Sequence, residues 1–183
     1  MTYSEGYSLY EAEKLIYAFH ELLENNCINI NFHSDLYWVG NKIIEFYKMH
    51  KNPKLRDTNI DVREEMQEAL GFEDFISKIY SVRDHPKFKN LIPHIRLMNT
   101  ASFSQIKTTT VLDQNSDKLF ELYITSLCMM QFEDVHFAPP NDNKGKNPDI
   151  MFRYKNKRWA IACKVMHTDG IKVKSLGVLF PVA

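Results

Sequence analysis

Residues 147–165 read Asn147-Pro148-Asp149-Ile150-Met151-Phe152-Arg153-Tyr154-Lys155-Asn156-Lys157-Arg158-Trp159-Ala160-Ile161-Ala162-Cys163-Lys164-Val165. Two short runs, Ile150 to Tyr154 and Arg158 to Val165, are joined by the turn-type residues Lys155, Asn156 and Lys157. That pattern is an antiparallel hairpin. Successive residues of a strand point to opposite faces, so Trp159, Ile161 and Cys163 form a core face. Ala162 and Lys164 take the other face, about 7 Å apart at ~3.4 Å per residue. Asp149 opens the first strand. A carboxylate at a strand end, facing a lysine on the partner strand, can hold a divalent metal and orient a water beside a phosphate.

Upstream, Ser116 precedes a helix from Asp117 to Gln131 that is apolar on almost every face, so it is expected to be buried. A strand at Val135 to Ala138 and a loop from Pro139 to Pro148 connect it to the hairpin. Before it, Ser104 to Asp117 is polar, includes three consecutive threonines and reads as a connector. The first hundred or so residues show helical periodicity throughout. Leu9 to Asn25 carries its apolar residues at Leu15, Ile16, Phe19, Leu22 and Leu23, with Asn25 and Asn26 as stops. Leu36 to Met49 follows, capped by Ser34 or Asp35. Val62 to Leu70, Glu73 to Val82 and Pro86 to Met98 continue the series, interrupted by Gly71 and by Asp84-His85-Pro86. The expected fold class is α/β in the α+β sense: a helical region over residues 1–103, then a helix-and-sheet domain over 104–183.

Helix, strand, a Pro-Asp strand, a turn and a strand carrying a lysine resemble the layout of the PD-(D/E)xK nuclease superfamily. The resemblance spans roughly Asp117 to Val165 and matches two motif residues, Asp149 and Lys164. It implies a restriction-endonuclease-like fold with a mixed β-sheet and Mg²⁺- or Mn²⁺-dependent hydrolysis of phosphodiester bonds, with double-stranded DNA as the expected partner. It further implies that Asp149 binds metal and that Lys164 orients or activates the attacking water. Glu121, on the preceding helix, matches an acidic residue that many members use as a further metal ligand or lysine partner. A restriction or defence role follows from the resemblance alone.

Two departures stand out. Ala162 occupies the position where the family has Asp or Glu, and a methyl group cannot bind a hard cation that wants oxygen ligands. The acid was replaced deliberately, as in a Glu-to-Ala change made to trap an uncut complex; or it migrated, to Glu121 or to a loop acid such as Asp142; or the site is naturally dead. The expectation is a weakened or inactive enzyme. The alternative is a non-catalytic nucleic-acid-binding or protein-interaction module on a degenerate nuclease-like scaffold. The second departure is the ending. Members usually continue with a helix and a further strand, whereas His167 to Ala183 leaves room for about one strand. The fold is then completed by the N-terminal helices or by a partner chain, as in a homodimer, or the chain is cut short.

Charge sharpens the partner expectation. The 183 residues balance 23 basic against 23 acidic side chains, yet from Lys144 onward there are nine basic residues against Asp149 and Asp169. The remainder is correspondingly acidic. Lys144, Lys146, Lys155, Lys157 and Arg158 are therefore the candidate phosphate contacts. Cys27, Cys128 and Cys163 are too few and too dispersed for a disulfide framework or a CxxC metal site, which suits a reducing, cytoplasmic setting. No apolar run approaches the ~18 residues of a membrane span. The seven histidines show no HxxxH spacing, so zinc is not expected. Ser34, Ser104 and Cys163 sit in no nucleophile signature.

Overall fold

The computed structural model describes residues 9–52, 63–101, 103, 114–140, 148–168, 171–176 and 180–182, with side chains described only before residue 164. The fold is α+β with a helical N-terminal region. Helix α1 (Leu9–Asn25) turns Ala12, Ile16, Phe19 and Leu23 inward at helical spacing, and each is almost completely buried. It stops where expected. Cys27 takes the left-handed conformation (φ 55°), and the Ile28 amide reaches back 3.0 Å to the Leu23 carbonyl, a Schellman-type end. Helix α2 (Asp35–Lys51) is capped by Ser34, whose hydroxyl accepts from the Tyr37 amide at 3.3 Å.

The two segments expected on either side of Gly71 are one helix, α3 (Arg63–Ser81). Gly71 is exposed, while Ala69, Phe72, Ile76 and Ile79 are buried. A glycine costs an exposed helix position about 1 kcal/mol, too little to break a helix whose opposite face is locked into the core. Pro86 to Met98 divides instead: a 3-10 turn at Phe88–Leu91 leads into the short helix α4 (Ile92–Leu97). The three long helices so far pack against one another.

Helix α5 (Gln114–Gln131) begins three residues earlier than expected and lies between two layers. It packs against α3 and α4 on one side and against the sheet on the other, which is why nearly all its faces are apolar. The buried core runs continuously from Ala12 through Leu119, Leu122 and Cys128 to Ile161, so the helical and β regions share it. The buried hydroxyls of Thr125 and Ser126 donate back to the Glu121 and Leu122 carbonyls at 2.8 and 3.0 Å.

Strands β1 (Glu133–Phe137), β2 (Ile150–Tyr154), β3 (Lys157–Ile161) and β6 (Phe180–Val182) form one sheet in the order β1-β2-β3-β6. Strands β4 (Cys163–Thr168) and β5 (Ile171–Leu176) form a separate ribbon. Every pairing among the described strands is antiparallel, where the resemblance implied a mixed sheet. The β2–β3 hairpin is the one expected, but its turn is two residues rather than three. Tyr154 pairs with Lys157, and Lys155 and Asn156 both have positive φ (49° and 59°), a type I′ geometry. The run expected as a single strand from Arg158 to Val165 is broken at Ala162. The segment after His167 supplies two strands where one was expected. No helix among the described residues is long and apolar enough to cross a membrane.

Candidate functional site

The hairpin brings Asp149 to the start of β2 in register with the end of β3, since Ile150 pairs with Ile161. Asp149 Oδ2 accepts the backbone N–H of Cys163 at 2.6 Å. The carboxylate is thus tied to the middle residue of Ala162-Cys163-Lys164. Ala162 is exposed at the break between β3 and β4. Lys164 is the second residue of β4, in register with Ser175, and its side chain lies outside the described ones. The core face read from the hairpin is correct: Ile161 is buried, and Trp159 and Cys163 pack partly buried against the core.

Glu121 enters from α5 with only 5% of its surface exposed. Both its oxygens accept from the Lys118 ammonium, each at 2.8 Å, one turn earlier on the same helix. Burial pushes its carboxyl above the usual range, and the Asp149 charge adds to that; Lys118 pulls the other way. The same surroundings hold Cys163 as a thiol, pushed up to about 12 by burial and then by Asp149 and Glu121. Burial alone lifts Cys128 to about 11. Neither cysteine is a nucleophile at neutral pH.

His94 belongs to this cluster and was not expected there. It is fully buried on α4, its Nε2 lies 3.9 Å from Glu121 Oε2, and its ring packs 4.0 Å from that of Phe137. Neither ring nitrogen has a hydrogen-bond partner among the described residues. Burial, reinforced by the Lys118 charge, lowers its pKa to about 3, so the ring is neutral. The only hint in the sequence is Pro93 beside it, which opens the short helix that carries it inward.

A Mg²⁺ ion takes one or two carboxylates, waters and substrate oxygens. Asp149 and Glu121 fit that donor class, but incompletely. One Asp149 oxygen is engaged by a backbone N–H, Lys118 occupies both Glu121 oxygens, and Ala162 contributes none. Among the described residues no three His, Cys, Asp or Glu side chains gather as a metal cluster. Lys155, Lys157 and Arg158 are exposed around the hairpin turn, while Asp142, Lys144 and Lys146 lie outside the described residues.

A second, exposed cluster centres on Asp134. A β-bulge in β1 places Asp134 and Val135 opposite Phe152, and Asp134 adopts φ 54°. Its carboxylate accepts from Lys87 at 2.9 Å, contacts His136 Nε2 at 3.0 Å and accepts from Arg153 at 3.3 Å. Comparison with protein families, curated proteins and solved structures finds no match to this chain.

Proposed function

We propose that the chain is a nuclease-type domain of the PD-(D/E)xK kind whose metal-dependent phosphodiester hydrolysis, with DNA as the expected substrate, is weakened by Ala162. The observation that carries this reading is the bond from Asp149 to the Cys163 amide, which joins the Pro-Asp element to the Ala-x-Lys element. Asp149, with Glu121, would hold Mg²⁺ or Mn²⁺. When bound, such an ion polarises the scissile phosphate and lowers the pKa of a bound water. Lys164 would stabilise the charge that develops on the phosphate. Asp149 is held in orientation by a rigid backbone donor, and Lys118 keeps the buried Glu121 charge compensated in the absence of substrate.

The test is cleavage of labelled double-stranded DNA with Mg²⁺ or Mn²⁺ by the chain with Ala162, by Ala162→Glu, and by Ala162→Glu combined with Asp149→Asn. Metal-dependent cutting that the glutamate raises and the asparagine abolishes is expected. The Lys118 clamp on Glu121 favours a second reading, in which the scaffold binds nucleic acid or protein without catalysis. DNA binding by all three forms with no cutting by any would establish it.

A further inference from the structure

The outer face of the β1–β3 sheet carries an arrangement that folding alone does not explain. Arg153 and Arg158 stand directly opposite each other on β2 and β3. Like charges at such a cross-strand position are destabilising, because their Cβ atoms are only ~5 Å apart. Both side chains line a cavity of about 200 Å³, together with Asp134, His136, Met151 and Phe152. Asp134 holds Arg153 in place while also engaging Lys87 and His136. Arg158 has no ion-pair partner among the described residues. Glu133, in register with Arg153, is the other acid on this face.

We propose that this cleft binds a phosphate of a nucleic-acid backbone, with Arg153 and Arg158 as its donors. The inference rests on the reading of the chain as a nucleic-acid-acting domain. Guanidinium groups present paired N–H donors that match phosphate oxygens, and an anion between the two arginines removes their mutual repulsion. A polyanion suits the surroundings better than an isolated carboxylate. The exposed Lys155 stands at the turn that closes this hairpin and adds to the local positive charge, whereas Tyr154 and Lys157 pair with each other on the opposite face. Met151, 39% exposed, supplies an apolar wall. Ile150, by contrast, is fully buried in the core that α5 covers. The cleft therefore lies across the sheet from Glu121 and serves to dock the strand.

The test measures binding of a short fluorescent DNA duplex over a salt series, using the natural chain, Arg153→Ala/Arg158→Ala and Asp134→Asn. The double variant is expected to bind at least about tenfold more weakly, with the slope of log affinity against log salt shallower by about two. Asp134→Asn is expected to bind about threefold more tightly, because it removes a negative charge beside the phosphate. Asparagine tolerates the left-handed backbone there, and a gain of affinity cannot come from misfolding. Equal affinity and slope for the natural chain and the double variant would overturn the cleft while leaving the nucleic-acid reading intact. Failure of the natural chain to bind duplex even at low salt would overturn both.

Discussion

The chain builds two charge clusters around a carboxylate, and they differ in almost everything except composition. Glu121 is held by Lys118 inside the core, with His94 pressed against it; Asp134 is held by Lys87, His136 and Arg153 in the open. Burial raises the Glu121 carboxyl out of its ordinary range, whereas the Lys87 ammonium lowers that of Asp134. In the first cluster the buried Glu121 carboxylate depends on Lys118 for compensation, since an unpaired buried ion costs several kcal/mol. In the second, water does most of that work and ion pairs contribute little to folding. The buried cluster is thus compensated within the fold, so that a ligand of Glu121 has to compete with Lys118, whereas the exposed one exchanges partners with a ligand at little cost.

The largest expected effect comes from breaking the buried pair. Lys118→Met should lose about 3 kcal/mol in urea denaturation at neutral pH, because Glu121 is left charged and unpaired. Adding Glu121→Leu should recover most of that loss. If Lys118→Met alone has no effect, the buried Glu121 carboxylate does not depend on Lys118 as described.

Acid should sharpen the contrast. The His94 pKa is lowered from 6.5 to about 3, so only the unfolded chain takes up that proton between those values. Its stabilising contribution is full above pH 6.5 and declines as pH falls, by up to about 1.4 kcal/mol per pH unit. Glu121 runs the other way: its raised folded pKa favours the native state below 4.5, and that advantage fades as pH rises through the folded value. His94→Phe should therefore flatten the acid limb of a stability–pH curve. The change should also relieve two unsatisfied ring nitrogens and preserve the packing against Phe137.

Smaller effects belong to the exposed side. Lys155 occupies a left-handed turn position better suited to asparagine, so Lys155→Asn should raise stability by about 0.5 to 1 kcal/mol. The same substitution should weaken DNA binding if the arginine cleft beside this turn docks the nucleic acid. Asp134→Asn should leave the denaturation midpoint unchanged, in direct contrast to changes at Lys118.

The difference between the clusters also explains what could be read in advance. The hairpin announces itself through two short runs and the Lys155-Asn156 turn, and α1 through the spacing of Ile16, Phe19 and Leu23. Such signals are local. Asp149 and the Ala162-Cys163-Lys164 tripeptide were legible because the hairpin register alone brings them together. Glu121 was singled out as the acid of an apolar helix, but its clamp by Lys118 was not. His94 lies 27 residues before Glu121 and meets it only through the packing of α4 on α5, which no periodicity announces. Gly71 misleads for the opposite reason, since a local helix breaker is overridden by the buried Phe72 and Ile76. The bulge at Asp134 needs the partner strand to exist before it can be seen.

The central claim is that Asp149 and the position of Ala162 belong to one metal site that lacks an acid. The most direct measurement is a Mn²⁺ titration followed by electron paramagnetic resonance, comparing the chain with Ala162, Ala162→Glu, and Ala162→Glu with Asp149→Asn. The account predicts that the glutamate tightens Mn²⁺ binding by about tenfold or more and that the asparagine cancels the gain. Equal affinity in all three forms would contradict it.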